Sequence, residues 1–289
     1  MALPIIRKLI DSPLPDGDGS FEDSLSAGTF GPATNTRFEV GIPGQVTTVF
    51  KGTFTVSGGE VTGGTITGYV THLGETKVLE ASGFSLDAVT TIAAIEAFQG
   101  GDFDAYFRTF YANDTAKKLV GSGYADDLYV AGDGSVGLGK AGDDGLFGNT
   151  YGITGETLKG GSGDDELRGN GGGDLLYVGR GDDAFYFGER DLVSPLTRIK
   201  DFETGRDKIV LVIEEGDGFD AVTPGYLDDA QFHIGKSATT AEQVIIYDRK
   251  TGALYYDADG SGTTEQVQFA KLSKKLDLGA HDFFGDLLI

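Results

Sequence analysis

Six acids recur at regular spacing through the middle of this chain: Asp126, Asp144, Glu156, Asp165, Asp174 and Asp183. Each holds the sixth position of a nine-residue, glycine-rich unit. The units are GSGYADDLY from Gly121, GKAGDDGLF from Gly139, YGITGETLK from Tyr151, GGSGDDELR from Gly160, GNGGGDLLY from Gly169 and VGRGDDAFY from Val178. A seventh unit, VAGDGSVGL from Val130, places Ser135 at position six and Gly137 at position eight, where the others carry Leu128, Leu146, Leu158, Leu167, Leu176 and Phe185. Three extra residues, Gly148 to Thr150, interrupt the register once.

The spacing has a direct chemical reading. A glycine-rich run can turn sharply because glycine adopts positive φ at little cost. The three residues that follow fit a short strand with the position-eight side chain turned inward. Stacked units then set one carboxylate per loop beside those above and below, and such a ladder repels itself unless a hard cation lies between the rungs. Calcium suits the site better than magnesium, because it takes about six to eight oxygen ligands, carboxylate and carbonyl together, in adaptable geometry. A solvated linker of glycine and charge is the alternative, but it has no need of leucine at every ninth residue.

These units resemble the GGxGxDxUx nonapeptides of RTX (repeats-in-toxin) calcium-binding exoproteins. The resemblance implies a parallel β-roll over seven turns, with several Ca2+ ions held between loops two turns apart on one side. It implies pairs Asp126 with Asp144, Asp144 with Asp165, and Asp165 with Asp183 on one side, and Glu156 with Asp174 on the other. Carbonyls of Gly161, Gly163, Gly172 and Gly181 would complete the shells. After the repeats, LTRIKDFETGRDKIVLV (196–212) resembles the DFxxGxD segment that follows RTX repeats, carried here by Asp201, Phe202, Gly205 and Asp207. Its expected role is to end the roll with a regular strand and cover the last turn.

Elements on either side must position the repeat. VTTVFKGTFTV, GGTITGYVTH and TKVLEASGF read as antiparallel strands, rich in β-branched residues and separated by glycines. SLDAVTTIAAIEAF reads as a helix capped by Ser85 and ended by Gly100, with Leu86, Val89, Ile92 and Ala93 on one face. DFDAYFRTFYA, from Asp102, reads as a second helix. Beyond the repeat, QVIIYDRK, ALYYDADGSG and EQVQFAKL read as further strands. The DADGSG turn has Asp257, Asp259, Ser261 and Gly262 spaced like the start of an EF-hand loop, but Gln268 stands at the twelfth position. A hairpin turn is the favoured reading there.

The expected organisation is a mainly β chain in three parts: an N-terminal α+β domain (1–118), a calcium-stabilised parallel β-roll (119–190) and a β-rich C-terminal cap (191–289). Acidic residues number 45 against 23 basic, a net charge of −22. That balance disfavours nucleic acid and anionic membranes as partners and favours cations. No run approaches a membrane span. The chain has no cysteine, which removes disulfides and thiol chemistry. Arg7 and Lys8 interrupt the apolar run near the N-terminus, unlike a signal-peptide core. The ending AHDFFGDLLI, with Asp286 before Leu287, Leu288 and Ile289, resembles the C-terminal signal of type I secretion substrates. Together these point to a secreted, extracellular protein of a Gram-negative bacterium, with the type I secretion apparatus as a partner and its extracellular partner unidentified.

No HExxH and no GxSxG occurs, and none of the three histidines, His72, His233 and His281, sits in a triad motif. A non-enzymatic surface or adhesive role is therefore the leading expectation, with a polysaccharide-active enzyme as an alternative. A second alternative is a haem or small-ligand scavenger, since the strand and helix order of the first part is similar to that of secreted hemophores and brings Tyr69 and His72 close in sequence.

Overall fold

The computed structural model describes residues 24–25, 28–42, 44–101, 118–130, 134–148, 154–214 and 217–287. Two compact units divide the chain, Met1–Gly142 and Asp143–Ile289. The expected second helix from Asp102 lies outside the described residues, as do Leu288 and Ile289.

In the first unit, β1 (Thr29–Phe30), β2 (Arg37–Gly41), β3 (Val46–Ser57), β4 (Glu60–Leu73) and β5 (Thr76–Asp87) form an antiparallel meander. The three strands read from the sequence are β3, β4 and β5. Gly58 and Gly59 join the first two with φ of 63° and 92°, a two-residue turn that only positive φ allows. One face carries a phenylalanine cluster: Phe38 stacks on Phe50 at 4.8 Å and meets Phe54 edge-on at 5.2 Å. Helix α1 (Ala88–Gln99) covers this core with Ala88, Thr91, Ala94, Ile95 and Phe98. The sequence-based helix face is therefore displaced. Ser85 lies within β5, and Asp87 is the cap, its Oδ1 accepting from the Thr90 amide at 2.8 Å. Starting the helix later rotates Val89 and Ala93 to the surface.

From β5 the same sheet continues into the repeat. Strand β6 (Lys118–Val120) pairs antiparallel with β5, and β8 (Val136–Ala141) pairs parallel with β6, Lys118 opposite Val136. Between them lies β7 (Asp127–Tyr129) with Leu128 buried. An 18-residue step thus returns the chain to the same sheet.

The second unit repeats this step on two faces. One face begins β10 (Thr157–Ser162), β12 (Leu175–Arg180), β14 (Thr197–Ile199); the other runs β9 (Gly145–Phe147), β11 (Glu166–Arg168), β13 (Ala184–Phe187), β15 (Lys208–Glu214). All these pairs are parallel, with Leu158 opposite Leu176 and Leu167 opposite Phe185. Each nine-residue unit is consequently half of a coil, and a full coil takes two units. The expected count of seven turns is corrected to seven half-turns. Leu146 faces Leu167, 21 residues away, so the register is kept across the three-residue insertion.

The coil also runs further than the repeat frame indicates. Segment 196–212 adds one strand to each face, β14 and β15, instead of only covering the last turn. Its spacing has widened: Leu175 faces Arg198 and Ala184 faces Lys208. The short helix α2 (Glu189–Val193) fills the first of these longer crossings. Closure comes from later strands. The strands β16 (Asp217–Gly218), β17 (Gly225–Tyr226), β18 (Phe232–Ile234), β19 (Ile245–Asp248), β20 (Ala253–Tyr256), β21 (Val267–Lys271) and β22 (Phe283–Leu287) follow. Of these, β21 pairs with β14, and β22 with β15. An aromatic cluster forms there: Phe187 and Phe219 pack against Phe269 at 5.3 and 5.2 Å, and Tyr256 packs against Phe219 at 5.0 Å.

Leu167 is wholly buried between Leu146 and Phe185. Leu167→Ala should destabilise the second unit by about 2–5 kcal/mol, read as a lower urea midpoint. A loss below about 1 kcal/mol would mean the interior collapses around the gap.

Candidate metal centre

Every position-six acid of the repeat is buried. Asp126, Asp144, Glu156, Asp165, Asp174 and Asp183 retain 4% exposure or less, and Ser135 of the departing unit is also enclosed. In three units the loop path packs the position-one glycine, Gly121, Gly160 or Gly169, against its own unit's position-six carboxylate. A Cβ on Gly160 would stand 2.2 Å from Asp165 Oδ2, and one on Gly169 2.0 Å from Asp174 Oδ2. Those glycines are required by close approach.

Successive coils are stitched through these residues in both directions. The main chain supplies one strand of the stitch, Glu166 N to Asp144 O and Ala184 N to Asp165 O, each 2.8 Å. Side chains supply the other. Asp165 Oδ1 accepts from the Asp144 amide at 2.9 Å, Asp183 Oδ1 from the Asp165 amide at 2.8 Å, and Asp207 Oδ1 from the Asp183 amide at 3.3 Å. On the opposite face Asp174 Oδ1 accepts from the Glu156 amide at 2.8 Å. Each carboxylate therefore spends one oxygen on the backbone of the coil before it.

The second oxygens define the site. Oδ2 of Asp165, Asp174 and Asp183 is buried and accepts no hydrogen bond. A buried carboxylate oxygen without a donor is costly, so the group must take a proton or a cation. Burial pushes Asp165 up to about 7, with the negative charges of Asp183, Asp143 and Asp164 adding to it. Burial likewise raises Asp174 to about 7 and moves Asp183 upward.

Asp126 and Asp207 are arranged differently. Asp207 Oδ2 accepts from the Glu203 amide at 2.7 Å, so both of its oxygens are met. Asp126 takes the Ser122 amide at 2.5 Å and the Ser122 hydroxyl at 3.2 Å. Near it the chain supplies a cation of its own: the Lys140 ammonium donates to the Gly121 carbonyl, and its charge offsets part of the upward shift that burial imposes on Asp126. Lys140 holds a φ of 96° to do so, a conformation side chains rarely adopt.

The glycines expected to lend carbonyls fall in the same loop stacks. A Cβ on Gly181 would strike the Gly163 carbonyl at 1.9 Å, and one on Gly179 the Gly161 carbonyl at 2.2 Å. Gly161, Gly163 and Gly172 take φ of 132°, 127° and 86°. Gly172 lies in the loop of Asp174, over Gly155. Among the described residues no three His, Cys, Asp or Glu side chains converge on one point. Any ion here would hold two carboxylates at most and draw its remaining ligands from main-chain carbonyls. That donor set, hard oxygen only and with carboxylate oxygens lacking donors, fits calcium.

Sequence reasoning missed two parts of this arrangement. Asp207 is an additional rung, hidden because its spacing from Asp183 is no longer 18. An outer ladder also runs through position five: Asp164 N donates to Asp143 Oδ1 and Asp182 N to Asp164 Oδ1, both 2.8 Å. Arg206 closes it, its Nε 3.1 Å from Asp182 Oδ1. The adjacent DD pairs at 143–144, 164–165 and 182–183 were the available signal. Elsewhere, the Tyr69 ring packs against Phe50 at 5.8 Å as part of the first core, and His72 of β4 lies opposite Thr47 of β3.

No family model and no curated protein matches the chain. Among solved structures, the solution structure of the AlgE6R3 subunit from the Azotobacter vinelandii mannuronan C5-epimerase is similar over 57% of this chain and 76% of that one, at 18% identity and a TM-score of 0.30. The parallel coil rests on its own strand register and not on that likeness. The class defined by fold and site is a mainly β protein with a parallel, glycine-turned β-roll that buries stacked carboxylates.

The raised acids set a pH dependence whose sign is opposite to that of a salt-bridged aspartate. Folded values near 7 against an unfolded 3.8 mean that the metal-free coil binds more protons than the open chain between about pH 4 and pH 7. Metal-free protein should therefore melt at a higher temperature at pH 5 than at pH 7.5. An equal or lower melting temperature at pH 5 would show that these acids are ionised and compensated without metal.

Proposed function

We propose that this chain is a calcium-binding protein of the RTX type whose β-roll closes on extracellular calcium. The carrying observation is the set of buried Asp165, Asp174 and Asp183 oxygens without donors on successive loops. One ion between Asp165 and Asp183 would neutralise both charges at once, and Asp165 would serve a second ion with Asp144. Glu156 and Asp174 would hold another on the opposite face. Where calcium is scarce the ladder keeps the roll open, which suits export of an unfolded chain through a type I apparatus. Where it is millimolar, binding free energy becomes folding free energy, with single-site affinities of about 10⁻⁴ to 10⁻³ M for extracellular modules. A surface or adhesive role for the exported product fits this rigid, acidic scaffold.

Circular dichroism across a calcium titration tests this. Chelator should abolish much of the β signal and millimolar calcium restore it. Asp165→Ala should raise the calcium midpoint roughly tenfold or more, whereas Asp126→Ala, whose oxygens Ser122 already satisfies, should shift it much less. A signal indifferent to chelator, or equal effects of the two substitutions, would overturn the proposal.

A further inference from the structure

The turn between β20 and β21 contains another buried carboxylate oxygen without a donor, away from the repeat. The two strands pair as an antiparallel hairpin, Ala253 opposite Lys271 and Tyr256 opposite Val267, so the turn reading of DADGSG holds. Its geometry is more constrained than a turn requires. Asp257 is 5% exposed, and its Oδ1 is buried with no hydrogen-bond partner. Its amide is fixed by the Val244 carbonyl at 2.9 Å.

Asp259, two residues on, is held by the amides of Thr263 at 2.9 Å and Thr264 at 3.1 Å, which keep it ionised. Burial, with the charge of Asp259 close by, raises Asp257. Two carboxyls facing one another have only acceptors to offer unless a proton or a cation joins them. Main-chain oxygens gather at the same turn: a Cβ on Gly260 would meet the carbonyls of Thr240 at 2.5 Å and Ala241 at 2.6 Å. Gly260 itself has a φ of 59°.

We propose that Asp257 and Asp259 form an additional site for a hard divalent cation of the calcium type, with backbone carbonyls of the surrounding turns as neutral ligands. The site stands on the hairpin alone and does not depend on calcium in the roll. It would lock the β20–β21 turn, and through Tyr256 and Phe269 the aromatic cluster that closes the coil.

Equilibrium dialysis of the full chain against radiolabelled calcium would count bound ions. Asp257→Asn should lose one ion per chain. It should also lower the melting temperature in calcium and leave it equal or higher in chelator, because the substitution removes the buried repulsion. Asp259→Asn, at a more exposed position, should lose the same single ion and decides the matter if Asp257→Asn does not fold. Ion counts equal to the parent in both variants would mean that a shared proton joins the carboxyls and would overturn the proposal. Loss of roll ions in Asp165→Ala is a separate count, so the two readings fail independently.

Discussion

The whole coil depends on how a buried carboxylate is compensated. A loop of glycine and aspartate gains nothing from the hydrophobic effect on its own, and enclosing six acids in a chain already at −22 opposes folding. At Asp165, Asp174 and Asp183 enclosure rests on a division of labour between the two oxygens of the group. One is committed to the backbone of the adjacent coil and sets register. The other faces inward and is left for a charge that the sequence does not contain.

This explains the asymmetry between interior and loops. The apolar residues at position eight stack along each face, Leu158 on Leu176 and Leu146, Leu167 and Phe185 in line, and their burial contributes roughly 25 cal/mol per Å². Those stacks need no ion and give the coil its strand pairing. The loops cannot follow unless their charges are met. Where the chain supplies its own donors or cations, as at Ser122, Lys140 and Arg206, the arrangement differs visibly from Asp165 and Asp183. The same protein therefore contains self-sufficient rungs and rungs that call for something external.

Much of this was legible in the sequence, because the repeat ties each residue type to one geometric duty. Acid at six, apolar at eight and glycine at one specified the strands, the inward column and the buried ladder. Three features were not legible. That nine residues make a half-coil depends on which strands pair, and period alone does not encode pairing. Asp207 was hidden by longer crossings, one of them holding α2, that break the interval while preserving the stacking. The helix start at Ala88 was misplaced because Ser85 and Asp87 are both competent caps, and β5 extends through Ser85 by pairing Leu86 with Ile66 and Asp87 with Thr65. In that contest tertiary pairing overrode local propensity.

The strand that seals one face of the coil comes from far along the chain: Phe283 to Leu287 lies in register with Ile209 to Ile213, 74 residues apart. Pairings of such sequence separation form late, because loop closure precedes any reward. The face bordered by β15 would stay unsealed until β22 arrived. That late pairing would act as a latch on the coil.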